Sequence, residues 1–314
     1  MTFKYNNVYV KDTALVAGVY EKYGPLKKYF DKTYNDLYFG EDSWEKAEIK
    51  LVKDSLSYAV KKTGILKEEF DLVLGGDLLN QITASTYGTV GYGKGFMGVY
   101  GACSSSVLEM IIASNFINSK QVKNALCVVS SHNMSSEKQF RNPTEYGAPK
   151  PRSATFTATG AASIVLVNEK TDVKVDCATL GKIIDMGEND PNDMGRVMAP
   201  AAIDVLKRHF DETGRSPDYY DLILTGDLGR YGKEIVKDYM MVNYDLEKQP
   251  EVLAGGSGPV CSALVNYGYV YNQLKAKKLK RVLLVATGAL FSPTLLYQKE
   301  NINSIAHAIS LEVV

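Results

Sequence analysis

Thr63-Gly64-Ile65-Leu66-Lys67-Glu68-Glu69-Phe70-Asp71-Leu72-Val73-Leu74-Gly75-Gly76-Asp77-Leu78 returns 150 positions later as Thr213-Gly214-Arg215-Ser216-Pro217-Asp218-Tyr219-Tyr220-Asp221-Leu222-Ile223-Leu224-Thr225-Gly226-Asp227-Leu228. Eight of the sixteen positions are identical, where background composition would match about one. Such self-similarity marks two copies of one supersecondary unit. A second match sets Cys103-Ser104-Ser105 over Cys261-Ser262-Ala263, and Ala125-Leu126-Cys127-Val128-Val129-Ser130 over Leu283-Leu284-Val285-Ala286-Thr287-Gly288. The copies divide the chain into about 1–170 and 171–314. No low-complexity tract, linker or charge run lies between them, so the halves are expected to share one core.

Elements alternate within each copy. Asp42-Ser43-Trp44-Glu45 reads as a capping box with Asp42 at the N-cap, opening a helix that runs to about Lys62 and ends at Gly64. A β-run follows from Asp71 to Leu74. Next come a Gly/Thr/Tyr-rich segment (83–96), a short strand, a buried helix from Ser104 to about Ser119, and a strand from Leu126 to Ser130. Ile164 to Val167 closes the copy. Helices alternating with short apolar runs predict a mostly parallel, helix-covered sheet.

At 314 residues and 45% apolar content, the chain can bury a large core. Lysine plus arginine (36) balance aspartate plus glutamate (36), so no overall field draws nucleic acid or anionic lipid. Nowhere do eighteen apolar residues run together, and Met1 to Asn7 has no apolar signal-peptide region. The expectation is a soluble protein with neither signal peptide nor transmembrane helix. The cysteines at 103, 127, 177 and 261 form no C-x-x-C pair, so neither a zinc site nor a disulfide framework is expected. Gly255-Gly256-Ser257-Gly258 follows no clear strand and lacks a P-loop lysine, which argues against nucleotide binding.

The chemistry gathers at Gly98-Val99-Tyr100-Gly101-Ala102-Cys103-Ser104-Ser105-Ser106. A strand-to-helix turn would lift the Cys103 thiol to a helix N-terminus, where backbone N–H groups favour the thiolate over its free pKa of roughly 8.5. A duplicated α/β unit with a cysteine heading its central helix resembles the thiolase superfamily, which includes thiolases and ketoacyl synthases. The resemblance implies a five-layer α/β/α/β/α sandwich with Cys103 where that superfamily carries its acylated cysteine. Longer motifs narrow it: 76–81 (GDLLNQ), 130–133 (SSHN), 137–147 (EKQFRNPTEYG), 193–202 (DMGRVMAPAA), 285–294 (VATGALFSPT) and 305–308 (IAHA). These are similar to the stage V sporulation AD family. That likeness implies a homodimeric binder of dipicolinic acid, alone or as its calcium chelate, with no cofactor. It would act with membrane proteins of the same operon at the cytoplasmic face of the spore inner membrane, supporting uptake of the compound into the developing spore.

The residue chemistry leans the same way. A condensing enzyme needs two groups beside its thiol, usually imidazole or carboxamide, to polarise a thioester and hold an enolate. The places expected for them read Thr225-Gly226-Asp227 and Ala254-Gly255-Gly256-Ser257-Gly258-Pro259, and His132, His209 and His307 occupy neither. Cys103 is therefore an apolar filler, a ligand-lining thiol in a retired active site, or the nucleophile of an acyltransferase or ketoacyl synthase with unusual helpers. A scaffold that only docks to membrane partners is a third class of function.

A planar dicarboxylate calls for oriented donors and a flat wall. The candidates are Cys103, the Ser104 helix start, and His132, Asn133, Gln139, Arg141, Thr144 and Tyr146, which follow a strand of the same half-sheet. Arg141 either anchors a carboxylate or pairs with Glu137 one helical turn earlier, and His132 either meets ligand or ties down its loop. Asp77 either reaches the pocket with Asn80 or caps the following turn, the role its repeat partner Asp227 would share.

Overall fold

The computed structural model describes residues 1–140, 151–240 and 255–314. The first copy runs β1 (Thr2–Lys4), β2 (Tyr9–Ala17), β3 (Lys32–Thr33), α1 (Trp44–Thr63), β4 (Leu72–Gly76), α2 (Thr83–Gly88), β5 (Phe96–Gly98), α3 (Ser105–Asn118), β6 (Asn124–Ser131), α4 (Asn133–Phe140), β7 (Phe156–Thr157) and β8 (Gly160–Val167). The second runs β9 (Val173–Thr179), α5 (Met194–Thr213), β10 (Leu222–Thr225), α6 (Gly229–Met240), β11 (Gly256–Ser257), α7 (Pro259–Ala263), α8 (Tyr271–Lys275), β12 (Arg281–Leu290), α9 (Pro293–Tyr297) and β13 (Asn303–Val313).

The repeated segment starts alike in both copies. Helices α1 and α5 each end on a glycine in the left-handed region, Gly64 at φ 72° and Gly214 at φ 70°, a conformation that costs glycine least. The N-cap of α1 is Ser43 rather than Asp42. Ser43 is the extended residue just ahead of the first helical one, so its Oγ accepts from Lys46 N–H, while Asp42 pairs with the Lys46 ammonium at 2.9 Å.

Strand order is also duplicated. One set reads β5-β4-β6-β8-β2 and the other β10-β12-β13-β9, joined through a single residue pair, Tyr9 with Lys174. Pairs β4–β6 and β10–β12 are parallel, whereas β6–β8, β8–β2, β12–β13 and β13–β9 are antiparallel. The sheet is thus mixed, not mostly parallel. Strand β8 re-enters beside the end of β6, with Gly160 opposite Ser131, so the return needs no helical crossover.

Alternation along the strands sorts side chains into layers. Val73, Leu126, Val128 and Val165 pack outward against Leu51, Val52 and Leu56 of α1. Leu283, Val285 and Ala308 pack outward against Val197, Met198 and Leu206 of α5. The intervening residues, Leu74, Cys127 and Ile164 with Leu284, Ala286 and Ile309, face a middle layer formed by Met110 and Ile111 of α3 and by Val260, Leu264 and Leu274 around α7 and α8. The order is helix, sheet, helix, sheet, helix. Covered on both sides, α3 buries most of its residues, Glu109 and three serines among them, and presents no single apolar stripe.

Candidate ligand site

The two middle-layer helices begin beside each other, and Cys103 stands at that junction. Ala102 takes a left-handed φ of 48°, turning the chain sharply from β5 into α3. Two hydroxyls close the turn. Ser104 Oγ donates to Gly101 O at 2.6 Å, and Ser105 Oγ donates to Ala102 O at 2.8 Å while accepting from Gly101 N–H at 3.0 Å. From the other copy, Gly258 N–H donates to Cys103 Sγ at 3.1 Å. Gly258 has φ 100°, and a Cβ there would lie 2.7 Å from Ser131 Oγ, so conformation and space both demand glycine.

Over the sulfur lies a cavity of about 370 Å³ with aromatic walls of Tyr100, Phe140 and Phe291. The two phenylalanine rings sit 5.6 Å apart, inclined by 42°. Ser136, Glu137, Thr155, Thr157, Asn192 and Ser257 supply the polar lining. A groove of about 600 Å³ adjoins it across the shared Leu78, Tyr100, Phe140 and Phe291, and there Gln139 Nε2 donates to Asn80 Oδ1 at 2.6 Å.

Asp227 is the group that sequence reasoning missed. Its backbone is left-handed, φ 57°, and both carboxylate oxygens are buried without a hydrogen-bond partner. Burial pushes its carboxyl up to about 7, opposed by the nearby Cys261 and Cys103 thiols and Gly258 N–H. Cys103 responds in kind. Burial first, then the Asp227 charge, push its thiol well above the usual cysteine range, against the pull of Gly258 N–H. The expected elevated, helix-activated thiolate is therefore replaced by a protonated thiol facing a carboxyl group.

Asp77 behaves as a cap, accepting from Leu79 N–H at 2.9 Å and Ser85 N–H at 2.7 Å. The helical turns after β4 point these donors back at it. After β10, α6 starts at once with Gly229, and Asp227 is left without such donors. The one legible signal was that the repeat stops matching after Leu228.

Of the described residues expected at the site, only Cys103 lines the cavity, and Asn80 and Gln139 line the adjoining groove. The others described point elsewhere. Ser104 is fully buried in its own turn. His132 is buried, with Nε2 bonded to Leu37 O at 2.8 Å and Nδ1 accepting from Met134 N–H at 3.2 Å, and burial pulls its pKa down, so the ring is neutral and ties down its loop. Asn133 holds Thr157 O and Thr159 Oγ1. Arg141, Thr144 and Tyr146 lie outside the described residues. Among the described residues no cluster of three His, Cys, Asp or Glu could hold a metal, and no helix is long and apolar enough to cross a membrane.

The family model for stage V sporulation protein AD (SpoVAD) matches residues 1–312. The chain belongs to that family. It is 43% identical over 320 residues to stage V sporulation protein AD of Bacillus subtilis (strain 168), covering 97% of this chain and 94% of the relative. The fold is thiolase-like. Acetyl-CoA acetyltransferase of Bacillus anthracis superposes with a TM-score of 0.61 at 13% identity, over 99% of this chain and 100% of that one. The 3-oxoacyl-[acyl-carrier-protein] synthase III of Aquifex aeolicus gives 0.59 at 13% identity, over 97% and 99%.

This SpoVAD-family chain also buries acid beside the site. Glu48 accepts from Ser130 Oγ at 2.9 Å and Ser135 Oγ at 2.7 Å, yet burial and the neighbouring Asp77 charge hold its carboxyl above the usual range. A folded-state pKa raised above the unfolded value means the native state keeps its proton longer, so stability declines as pH rises from about 4.5 toward the folded pKa. Urea unfolding across that window should show this slope, and Glu48→Gln should flatten it; an unchanged slope would assign the effect to other groups.

Proposed function

We propose that this SpoVAD-family chain binds dipicolinic acid in the cavity over Cys103, supports its uptake into the developing spore, and performs no condensation. The reading rests on one observation: the cavity is walled by aromatic rings, while its thiol faces a carboxyl group instead of an imidazole. The rings suit a planar aromatic ligand. A free dianion would meet a site whose nearest buried ionisable groups are acids. The calcium chelate carries no net charge and avoids that repulsion, so it is the form proposed as cargo.

Cys103, Asn80, Gln139, Arg141 and Tyr146 are the residues proposed to contact the ligand. A homodimer held at the cytoplasmic face of the spore inner membrane by membrane proteins of the same operon completes the proposal. Calorimetric titration with dipicolinate, with and without calcium, should give saturable binding that is tighter with calcium. Phe291→Ala should weaken it by about tenfold. No saturation in either condition would remove the proposal and leave a docking scaffold.

A second reading, an acyltransferase or ketoacyl synthase, draws on the Gly258 N–H held against Cys103 Sγ. Incubation with acyl-CoA decides it. The binder keeps its intact mass, and an acyl adduct on Cys103 establishes the enzyme.

A further inference from the structure

The balanced total charge hides a local excess of lysine on one face. There the short turn 27–29 lies against the helical segment 264–275, with the Tyr29 and Tyr269 rings 6.0 Å apart, and a Cβ at Gly268 would meet Tyr29 Cβ at 3.3 Å. Helical spacing brings Asn272 and Lys275 onto the same exposed side as Tyr269. Lys277 and Lys278 follow in the turn that ends α8, where Lys277 takes a left-handed φ of 56°.

Acid on this face is sparse and already engaged. Lys62 stands 3.8 Å from Asp12 and 3.1 Å from Asp31, and Lys275 stands 4.0 Å from Asp12. Lys27, Lys28, Lys277 and Lys278 are exposed and, among the described residues, form no ion pair. These six lysines against two aspartates leave an excess of four positive charges. Past Lys278 the surface returns to balance. Asp221 accepts from the N–H groups of Lys280 and Arg281, and the Arg281 guanidinium lies over the Tyr219 ring, 4.2 Å from its centre.

The kind of cation points to the partner. Lysine is a point charge on a flexible stem, without the fork by which arginine fixes a single carboxylate or phosphate, so lysines spread over a face suit a plane of many negative headgroups. Tyr23 and Tyr269, 77% and 39% exposed, add rings whose apolar bodies and wet hydroxyls fit a lipid–water boundary. Tyr23 belongs to the same strap, since Lys27 N–H bonds back to Gly24 O at 3.3 Å. We propose that this face binds an anionic lipid surface directly. The proposal rests on the membrane-face placement proposed above, adds lipid to the protein contacts named there, and requires nothing bound over Cys103.

Co-sedimentation of the full chain with phosphatidylcholine vesicles, with and without phosphatidylglycerol, tests it at low ionic strength. Binding is expected only with the anionic lipid, and it should fall as added salt screens the charges. Lys27→Glu with Lys278→Glu should lower the bound fraction about tenfold or more. Lys67→Glu with Lys299→Glu changes net charge equally at exposed sites elsewhere and should leave binding intact. Tyr23→Ser with Tyr269→Ser should weaken binding without changing its salt dependence. Thermal unfolding establishes that each variant folds. No sedimentation with anionic vesicles, equal sedimentation with phosphatidylcholine alone, or equal loss in the two lysine pairs would each overturn the proposal. Retention on immobilised polyglutamate without vesicle binding would overturn it too and assign the face to an acidic polypeptide. Dipicolinate titrated into the same protein reports on the cavity over Cys103, so failure of that reading is told apart from failure of this one.

Discussion

Gly288→Ala should destabilise the protein by about 3 kcal/mol and abolish the proposed ligand binding over Cys103 in whatever fraction still folds. A Cβ at Gly288 would sit 2.2 Å from Gly101 O and 3.1 Å from Ser104 N, and neither can retreat freely. Gly288 is fixed by β12 pairing with β13, opposite Ile305. Gly101 is fixed by its bonds to Ser104 and Ser105. The strain therefore falls on the turn that carries Cys103, the least regular part of the contact. Urea unfolding measures the first effect and dipicolinate titration the second. A variant within about 0.5 kcal/mol of the parent and with unchanged affinity would show that this close approach positions nothing.

Asp227→Asn should raise the alkylation rate of Cys103 by about tenfold at mildly alkaline pH. The attacking species is the thiolate, and a shift of one pKa unit changes its fraction tenfold while the thiol is mostly protonated. Two causes hold this thiol up, burial and the Asp227 charge, and the substitution removes the second while leaving the Gly258 N–H in place. Cys261 feels the same carboxylate, so the reaction is read by peptide mapping at Cys103, with Cys103→Ala as the blank. An unchanged rate would mean that burial alone silences the sulfur. The proposed binder would survive that result, but the part assigned to Asp227 in suppressing catalysis would not.

Much of the architecture was legible because it is written in local patterns that repeat. Gly64 and Gly214 stop the two long helices for the same backbone reason, and the apolar runs at Leu72 and Leu222 become corresponding strands. Strand direction was not legible. Whether β8 runs with or against β6 depends on which end of the sheet the chain re-enters, and composition does not encode that. The candidate site divided the same way. Cys103 at the head of a middle-layer helix followed from its turn, whereas His132 and Asn133, polar and next to a strand, look identical in sequence whether they meet a ligand or a backbone carbonyl.

Asp77 and Asp227 draw that line most sharply. By itself the sequence determined a duplicated α/β fold, a cysteine at the start of its central helix, and the absence of histidine where a condensing enzyme keeps one, since each follows from residue type and spacing along the chain. Only the tertiary structure decided that Asp77 is satisfied by Leu79 and Ser85 while its repeat partner lies uncapped between a thiol and a second cavity. The reason is physical. A carboxylate's state is set by the donors, charges and water that reach it in space, and identical neighbours in sequence do not place identical neighbours around it.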